Sequence, residues 1–536
     1  MAIAPALNRE DSRGFYADEQ LASALAYFRG GRYDKAEALY RKVLKKDAAN
    51  VGALHMTGLL TLKKGRPERA IQLLIKAAKT APDRPEILCD LGNAFKAMGR
   101  HKDAISAHRM VVSLLPKSPE ALSNLGSAYN AAGESAKAIK AFQAALKLRP
   151  RDAELMFNLG NGLIAAERHV EAESILRQVV YQKPEHERAQ INLGVALKES
   201  GKYEAALERF QKAIAAYPES ADAHWNLALT HLALGQYEDG WREYEWRLRL
   251  PGFSVQPMDR PQWHGDKLNG RTLLVHAEQG LGDTIQFVRY LRRLEDAGGP
   301  VVFACPARLV PLLGAMPGAA QIVPFEARPA HDVQTPLLSL PRLIDKGAPL
   351  ATGKPAYLHA DPDRAARAAA TLGPKTRRRI GIAWQGSADY RHDGRRSIPL
   401  SAFAPLAADP GIELISLQQG DDARQIDDIA WRDRIARLPD DTDRDGAFLD
   451  TLAVMAHLDM VVTSDTSIAH LAGAAGVPVA VALCRLPDWR WGLAGERSPW
   501  YPRMHLFRQT HAGDWDEVFE RIAAHVRASR RNDAAP

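Results

Sequence analysis

The stretch EALSNLGSAYNAAGESAKAIKAFQAALKLRP, residues 120–150, decides the fold of the first half of the chain because its pattern recurs. Glycine returns every 34 residues, at Gly58, Gly92, Gly126, Gly160 and Gly194. Alanine follows at the same period, at Ala70, Ala104, Ala138, Ala172 and Ala206. Proline closes each unit, at Pro82, Pro116, Pro150, Pro184 and Pro218. This period predicts stacked pairs of helices, in which small residues let the paired helices approach closely and proline ends each unit.

The units resemble tetratricopeptide repeats (TPRs) in their Gly, Ala, aromatic and Pro positions. A degenerate unit precedes the regular ones, and a variant unit follows in which Ala228 and Gly240 replace the expected Gly and Ala. We therefore expect an α-solenoid of about seven TPR repeats over residues 17–254, with the variant units as caps.

One register of the repeats, two positions before each marker residue, is polar: Asp90, Asn124, Asn158, Asn192 and Asn226. Asparagine is a poor residue for a helix interior, so its recurrence needs a reason. One interpretation is a ladder of amides that hydrogen-bonds the backbone of an extended polypeptide, because each amide offers a donor and an acceptor. The other is that the residue belongs to the repeat itself and bonds a neighbouring helix.

The second half of the chain has a different pattern, in which short apolar strands end in small or polar residues. The strand RTLLVHA runs into the Gly-rich turn and helix of EQGLGDTIQFVRYL, within residues 271–291. Similar segments follow: PVVFACP, RRIGIAWQGS, GIELISLQQGD and LDMVVTSDTSIAHLAGAAG. This pattern predicts two doubly wound α/β units, which bind ligands at the carboxyl ends of their strands.

Six segments together resemble the glycosyltransferase domain found behind TPR arrays in bacteria, related to the ADP-heptose:lipopolysaccharide heptosyltransferases (a GT9-like group). They are HAEQGLGDTIQFVRYL, GIAWQGS, RRSIPL, SLQQGD, SDTSIAHLAGAAGVPV and DWRW with SPWYP, within residues 255–525. The resemblance implies a GT-B fold of two Rossmann-like lobes, an acceptor-side lobe at 255–360 and a donor-binding lobe at 361–525. We expect a disordered tail at 526–536.

Asp283 lies at the mouth of the first β-α turn, after Gly280 and Gly282 bring the backbone close to whatever binds there. In the family that the chain resembles, the carboxylate of this motif faces the acceptor, which implies that Asp283 is the general base. The alternative is a capping role, because aspartate also stabilises the start of a helix.

The leaving diphosphate needs positive charge, and no pair of carboxylates stands where a metal ion would be expected. We therefore expect no metal and no cofactor, with a nucleotide-diphosphate sugar as co-substrate. Helix N-termini and cations would hold the diphosphate. The candidates are Ser387, Arg395, Arg396, Ser397, Thr466 and Ser467. The heptosyltransferases usually carry a lysine near the position of Arg396. Arginine keeps the positive charge but presents a planar guanidinium group instead of a compact ammonium group.

Asp465 and Thr466 stand at the end of a strand, one turn before His470. The resemblance implies that Asp465 contacts the donor sugar. His470, on the same helix face as Thr466, either reaches the donor or is a core histidine bonded to a backbone carbonyl. Gln418 and Gln419 would read the base or a phosphate.

Aromatic residues cluster around Arg490: Trp489, Trp491, Trp500 and Tyr501. Aromatic faces beside an arginine suit stacking on a sugar or a nucleobase. They also suit the packing of a loop that crosses between domains, and we favour packing.

The composition limits the classes of function. The 536 residues are 46% hydrophobic and 25% charged, with a net charge of +7. Because acidic residues are interspersed with the basic ones, a nucleic-acid partner is disfavoured. No apolar run has membrane-spanning length and the N-terminus lacks a signal-peptide pattern, so we expect a cytoplasmic protein. Cys89, Cys305 and Cys484 lie far apart in apolar sequence, which favours buried free thiols.

Two functions fit these features. The first is a metal-independent, inverting glycosyltransferase whose repeats recruit the acceptor, a protein such as flagellin or a surface glycan. The second is a TPR protein-interaction scaffold whose GT-B half is degenerate. The two hypotheses separate at Asp283, Arg396 and Asp465, because a scaffold has no reason to keep an acid and phosphate-binding groups at strand ends.

Overall fold

A computed structural model of the protein describes residues 19–253, 260–314, 316–347, 349, 356–387 and 393–533. The chain divides into two compact units, Met1–Lys202 and Tyr203–Pro536, and each is described by itself. Parts of the predicted domains, among them residues 17, 18 and 254–259, lie outside the described residues.

Fourteen consecutive helices occupy the described part of the chain from residue 19 to residue 244. They are α1 (Glu19–Arg29), α2 (Tyr33–Lys46), α3 (Val51–Lys63), α4 (Pro67–Thr80), α5 (Pro85–Ala97), α6 (His101–Leu114), α7 (Pro119–Ala131), α8 (Ser135–Leu148), α9 (Ala153–Ala165), α10 (His169–Gln182), α11 (Glu187–Glu199), α12 (Tyr203–Ala216), α13 (Ala221–Ala233) and α14 (Tyr237–Tyr244). A short 3-10 helix, Glu245–Arg249, follows. These consecutive helices confirm the predicted array of helical repeats.

The recurring glycines lie where the two helices of a pair touch. A Cβ atom built on Gly126 would lie 2.6 Å from the ring of Phe142. Glycines of neighbouring repeats make the same contact: Gly58 with Leu74, Gly92 with His108, and Gly160 with Leu176. Since atoms at that distance overlap, only glycine permits this approach, and these positions serve packing as the sequence predicts.

Two parallel sheets follow in the second unit. Their strands are β1 (Leu273–His276), β2 (Val301–Cys305), β3 (Gln321–Pro324), β4 (Val333–Pro336), β5 (Arg378–Ala383), β6 (Ile412–Ser416), β7 (Ile435–Ala436), β8 (Met460–Thr463), β9 (Val479–Leu483) and β10 (Met504–Arg508). The first sheet has the order β3-β2-β1-β4 and the second has the order β10-β9-β8-β5-β6-β7. The predicted α/β region with parallel sheets is confirmed.

Helices connect and cover these strands: α15 (Leu281–Phe287), α16 (Val310–Leu313), α17 (Leu340–Asp345), α18 (Pro362–Leu372), α19 (Asp393–Arg396), α20 (Ala404–Ala407), α21 (Leu449–Met455), α22 (Ser467–Ala474) and α23 (Trp515–Asp533). The predicted disordered tail at 526–536 is wrong for residues 526–533, because α23 runs to Asp533. Phe519, Ile522 and Val526 anchor this helix in the core of the second sheet, which gives it an apolar face to bury. Residues 534–536 lie outside the described ranges.

The end of the repeat region belongs to the core of the second unit, so the predicted domain boundary at 254/255 does not match the division of the chain. Trp241 of α14 is fully buried, and its ring meets the rings of Phe287 and Trp489 edge-on with centroids 5.5 and 5.4 Å apart. Arg247 is also fully buried and binds both oxygens of Glu278, at 2.9 and 2.7 Å. Apolar contact and a buried ion pair therefore join the last repeat to the first sheet.

Two further expectations concern thiols and membranes. None of the three cysteines forms a disulfide with a described residue; Cys305 is buried as predicted, whereas Cys89 and Cys484 are half-buried. None of the helices in the described ranges combines the length and the apolar composition needed to cross a bilayer.

Candidate functional site

The order of the strands reverses once in each sheet, and the predicted site residues follow the strands at these reversals. In the first sheet β1 lies between β2 and β4, and in the second sheet β5 and β8 are neighbours from which the chain proceeds in opposite directions. Asp283 follows β1, Ser387 follows β5 and Asp465 follows β8. The crevice beyond the carboxyl ends at such a reversal is the usual ligand site of an α/β sheet.

Asp283 is in the first turn of α15, and both of its carboxylate oxygens have partners. Oδ2 accepts a hydrogen bond from the backbone N–H of Gly280 at 2.9 Å, so the carboxylate does cap the helix. Oδ1 forms an ion pair with Nη2 of Arg490. Burial raises the pKa of Asp283, while the charge of Arg490 opposes that rise. The side chain remains 21% exposed, so capping leaves part of it accessible.

Arg490 is the residue of this site that the sequence analysis missed. Its Nε donates to Gln286 Oε1 at 3.0 Å, its Nη1 donates to Asp488 Oδ1 at 2.8 Å, and its Nη2 binds Asp283. The sequence signal was present, because an arginine set between two tryptophans and two residues after an aspartate combines burial with charge. It was read only as part of an aromatic cluster.

That aromatic cluster is a packing feature. The four rings are 5% exposed or less: Trp489, Trp491, Trp500 and Tyr501. The indole N–H of Trp500 donates to the backbone carbonyl of Arg490 at 2.9 Å, which fixes the segment that carries the arginine. The packing interpretation favoured from the sequence is therefore confirmed, and the cluster holds Arg490 in place.

Asp465, beyond β8, shares charged neighbours with Asp283. Burial and the charge of Asp488 raise the pKa of Asp465 to about 6, while the positive charges of Arg396 and Arg490 oppose the rise. Asp488 and Arg490 also act on the pKa of Asp283. Asp283 and Asp465, which follow strands of different sheets, are thus both close enough to Arg490 and Asp488 for these charges to affect their pKa values.

The starts of α15 and α22 touch beside this cluster. A Cβ atom on Gly282 would lie 3.3 Å from Cα of Ser467 and 3.1 Å from the ring of His470. Nδ1 of His470 lies 3.0 Å from the hydroxyl of Tyr501, and burial holds the pKa of this imidazole well below its usual value. His470 is buried, and its partner is a hydroxyl and not the backbone carbonyl that the core interpretation proposes.

The phosphate-binding candidates lie on the loops after β5 and β8. Arg396 donates to Asp393 Oδ1 at 2.9 Å and to the backbone carbonyl of Asp465 at 2.9 Å, so its guanidinium joins the two loops. Ser397 donates to Asp393 at 2.6 Å. Ser387 is exposed and follows Gly386, against which the Arg396 guanidinium packs. Residues 388–392 of the same loop lie outside the described ranges.

Gln418 and Gln419 lie beside a cavity, and Thr466 lies at a helix start. Oε1 of Gln418 accepts the backbone N–H groups of Trp384 and Gln385 at 3.1 and 3.0 Å, which joins the ends of β5 and β6. Both glutamines line a cavity of about 380 Å³, called here the β6 cavity. Thr466 is the N-cap residue of α22, and its side chain makes no capping hydrogen bond.

A second cavity, of about 360 Å³, lies at the carboxyl ends of β1, β2 and β3 and is called here the β1 cavity. Its lining includes Phe253, Glu278, Gln279, Pro306 and Phe325. Neither Asp283 nor Asp465 lines either of these two cavities. Among the described residues, no group of three or more His, Cys, Asp and Glu side chains could hold a metal ion.

The polar register of the repeats bonds neighbouring helices. Nδ2 donates from Asn124 to Cys89 at 3.1 Å, from Asn158 to Ser123 at 3.1 Å, and from Asn192 to Asn161 at 2.5 Å. Asp90 pairs with His55 at 2.7 Å, and Asn226 bonds the carbonyl of Asp222 in its own helix at 2.9 Å. The bonds of Asn124, Asn158, Asn192 and Asp90 are of the kind that the second interpretation expects, whereas Asn226 bonds within its own helix.

Comparison with known proteins identifies the repeats. Family models described as tetratricopeptide repeat match residues 21–86, 89–146 and 129–193, and a model described as TPR repeat matches residues 194–235. The chain is 27% identical over 323 residues to Protein FlbA of Caulobacter vibrioides, a match that covers 54% of this chain and 52% of that protein. The chain thus spans about half the length of this relative.

Solved structures of repeat proteins resemble parts of the chain. One is a tetratricopeptide repeat protein from Parabacteroides merdae, with 16% identity, 45% of this chain and 95% of that chain covered, and a TM-score of 0.41. Another is YrrB, described as a TPR protein with an unusual peptide-binding site, with 23% identity, 34% and 95% covered, and a TM-score of 0.29. The family matches themselves establish TPR repeats, a fold for protein interaction, in the N-terminal part of the chain.

Proposed function

We propose that the protein transfers a sugar from a nucleotide-diphosphate donor to an acceptor that its repeats recruit, a polypeptide or a surface glycan. The observation that supports this most is the meeting of the two sheets: Asp283 beyond β1 and Asp465 beyond β8 share Arg490 and Asp488 as charged neighbours. A GT-B arrangement, in which two lobes face each other with their strand ends, would bring acceptor and donor together here.

Asp283 would be the general base of an inverting reaction. It takes the proton of the acceptor hydroxyl, the acceptor oxygen bonds to the anomeric carbon, and the bond from that carbon to the diphosphate breaks. Burial supports this role, because a raised pKa makes the carboxylate a stronger base. Each oxygen of Asp283 has one partner, Gly280 N–H or Arg490, and the acceptor hydroxyl would bind to a remaining lone pair of the carboxylate.

The donor would bind to the second sheet without a metal ion. Arg396 and the first amides of α22, at Ser467 and beyond, would hold the diphosphate, because a cation and a helix start both attract negative charge. Asp465 would accept hydrogen bonds from the sugar hydroxyls. The β6 cavity, with Gln418 and Gln419, has the size to take the nucleoside.

The alternative is an interaction scaffold without catalysis. It is supported by the TPR matches and by the two hydrogen-bonding partners of Asp283, which a purely structural carboxylate would also have. A cytoplasmic location and the lack of a nucleic-acid partner remain predictions from the sequence under either function.

The deciding experiment combines donor binding with one substitution. A panel of nucleotide sugars is tested for thermal stabilisation of the full chain, because a ligand of the folded state raises the melting temperature. With the donor so found, Asp283→Asn should keep donor binding and lower sugar transfer by about a hundredfold or more, the usual range for loss of a general base.

Asp296→Asn is the matched control, because Asp296 is an exposed aspartate of the same sheet region. Transfer by Asp283→Asn at the rate of the unchanged protein would remove Asp283 from the mechanism. Failure of every nucleotide sugar to bind would leave the scaffold as the function.

A further inference from the structure

The β1 cavity opens next to the proposed base. Gln279 lines the cavity and directly precedes Gly280, whose N–H binds Asp283. The backbone of Gln279 is left-handed, with φ of 61°, and its Nε2 donates to the hydroxyl of Tyr244 at 3.0 Å. The loop between the cavity and the carboxylate is therefore held on both sides, so a group bound in the cavity would have a defined position relative to Asp283.

The described residues that line the β1 cavity are mostly apolar and include no cationic side chain. Phe253, Phe325 and Pro306 supply apolar surface, and none of the seven lining residues is Lys, Arg or His. The one carboxylate, Glu278, is already bound on both oxygens by Arg247, which is fully buried beneath it. Phosphorylated glycans are recognised by cations, whereas a cavity of this kind suits an uncharged apolar group.

The same cavity is continuous with the last repeat. The ring of Phe253 packs against Trp225 of α13, with centroids 4.8 Å apart and an angle of 61°. Trp225 directly precedes Asn226, the last member of the polar register. A polypeptide that contacts Trp225 on α13 would therefore lie beside Phe253.

We propose that the acceptor is a polypeptide, and that an apolar side chain beside its modified hydroxyl binds in the β1 cavity against Phe253. The transfer step rests on the proposed function, but the binding step does not. Phe253 is then a specificity residue: it selects the acceptor and takes no part in the chemistry.

Binding and transfer are measured separately with the full chain. The probes are short fluorescent peptides with a central Ser or Thr, flanked by Phe, Leu, Ala or Lys, and a deacylated lipopolysaccharide core oligosaccharide as the anionic acceptor. Peptides flanked by Phe or Leu should bind at least tenfold more tightly than those flanked by Ala or Lys. Phe253→Ala should remove this preference and raise the peptide KM about tenfold, with a much smaller effect on kcat.

Tyr181→Ala is the matched control, because it removes an aromatic ring that is 88% exposed on α10. Phe253→Leu, which keeps an apolar side chain, should retain most of the preference. Equal binding of all flanking residues, or an unchanged preference in Phe253→Ala, would overturn the proposal, as would transfer to the anionic oligosaccharide alone. Selective peptide binding without any transfer would support the β1 cavity as a peptide-binding site and would contradict the proposed sugar transfer.

Discussion

At the scale of single residues, His108 occupies a position that is apolar in neighbouring repeats. Leu74, Phe142 and Leu176 hold the equivalent place against the recurring glycine. His108 is fully buried, and neither ring nitrogen has a hydrogen-bond partner among the described atoms. Burial, aided by the positive charge of Lys96, lowers the pKa of His108 from 6.5 to about 4.

Replacing His108 by Leu should stabilise the protein, and the gain should grow at acid pH. Because the folded pKa is lower than the unfolded one, the histidine costs least above pH 6.5, and stability is lost as the pH falls from 6.5 towards 4. Removing two unsatisfied buried nitrogens should also contribute on the order of 1 kcal/mol at neutral pH. The measurement is the melting temperature of the full chain between these pH values.

The control is His511→Gln, since His511 is exposed. A His108→Leu protein that melts like the unchanged protein at every pH would contradict this account.

The candidate site also shows what single residues reveal before the structure is known. Asp283 and Asp465 were identified because each follows an apolar run and a small-residue turn, a pattern that marks a strand end. Arg490 was missed because it acts through Asp283, which lies 207 residues earlier in the chain. Nothing local to DWRW indicates which carboxylate this arginine will meet, since long-range partners depend on how the two sheets approach.

At the scale of elements, the contact between paired helices depends on glycine. Gly126→Ala should destabilise the protein, although alanine favours a helix by about 1 kcal/mol. The added methyl group would overlap the ring of Phe142, which is 2% exposed and has little room to move, and overpacking of a core costs about 1–3 kcal/mol. The expected result is a lower melting temperature for Gly126→Ala.

A double-mutant cycle with Phe142→Ala isolates this contact. The double mutant should lose less stability than the sum of the two single mutants, because alanine at 142 makes room for the new methyl group. Additive losses would show that the overlap is relieved elsewhere.

Elements with strong periodicity were predictable, and short ones were not. The helices of the repeats and the strand, turn, helix and strand around Asp465 are as predicted, because glycine, proline and apolar runs bound them. Strand β7 has only two residues, Ile435 and Ala436, and its pairing with β6 cannot be read from so short a pattern. The last part of the C-terminal helix, residues 526–533, was predicted as a tail because it is mostly polar and charged, with Val526 as its apolar anchor.

At the scale of the whole molecule, the second unit begins within the repeats and not after them. A fragment of residues 203–533 should unfold cooperatively and remain monomeric, whereas a fragment of residues 260–533 should aggregate. The shorter fragment exposes Phe287 and Trp489, which Trp241 covers, and leaves Glu278 buried without Arg247. Melting followed by circular dichroism, with gel filtration, distinguishes the two fragments.

A matched pair of arginines checks the same point in the full chain. Arg247→Met should destabilise the protein by about 3–5 kcal/mol, the usual cost of breaking a buried pair. Arg249→Met should have little effect, because Arg249 and its partner Glu219 are exposed. If the two fragments, or the two variants, had the same melting temperature, the result would place the boundary of the second unit after the repeats.

The contact of Gly282 with Ser467 has a kinetic consequence for the proposed reaction. Since the start of α15 rests on the start of α22, we expect that a donor held by the amides of α22 requires part of this contact to open. Capture of the nucleotide sugar would then be gated by an opening motion and not by diffusional encounter, so the association rate would level off at high donor concentration. Because Gly282 has no side chain, it would set how closely the starts of α15 and α22 approach before the donor binds.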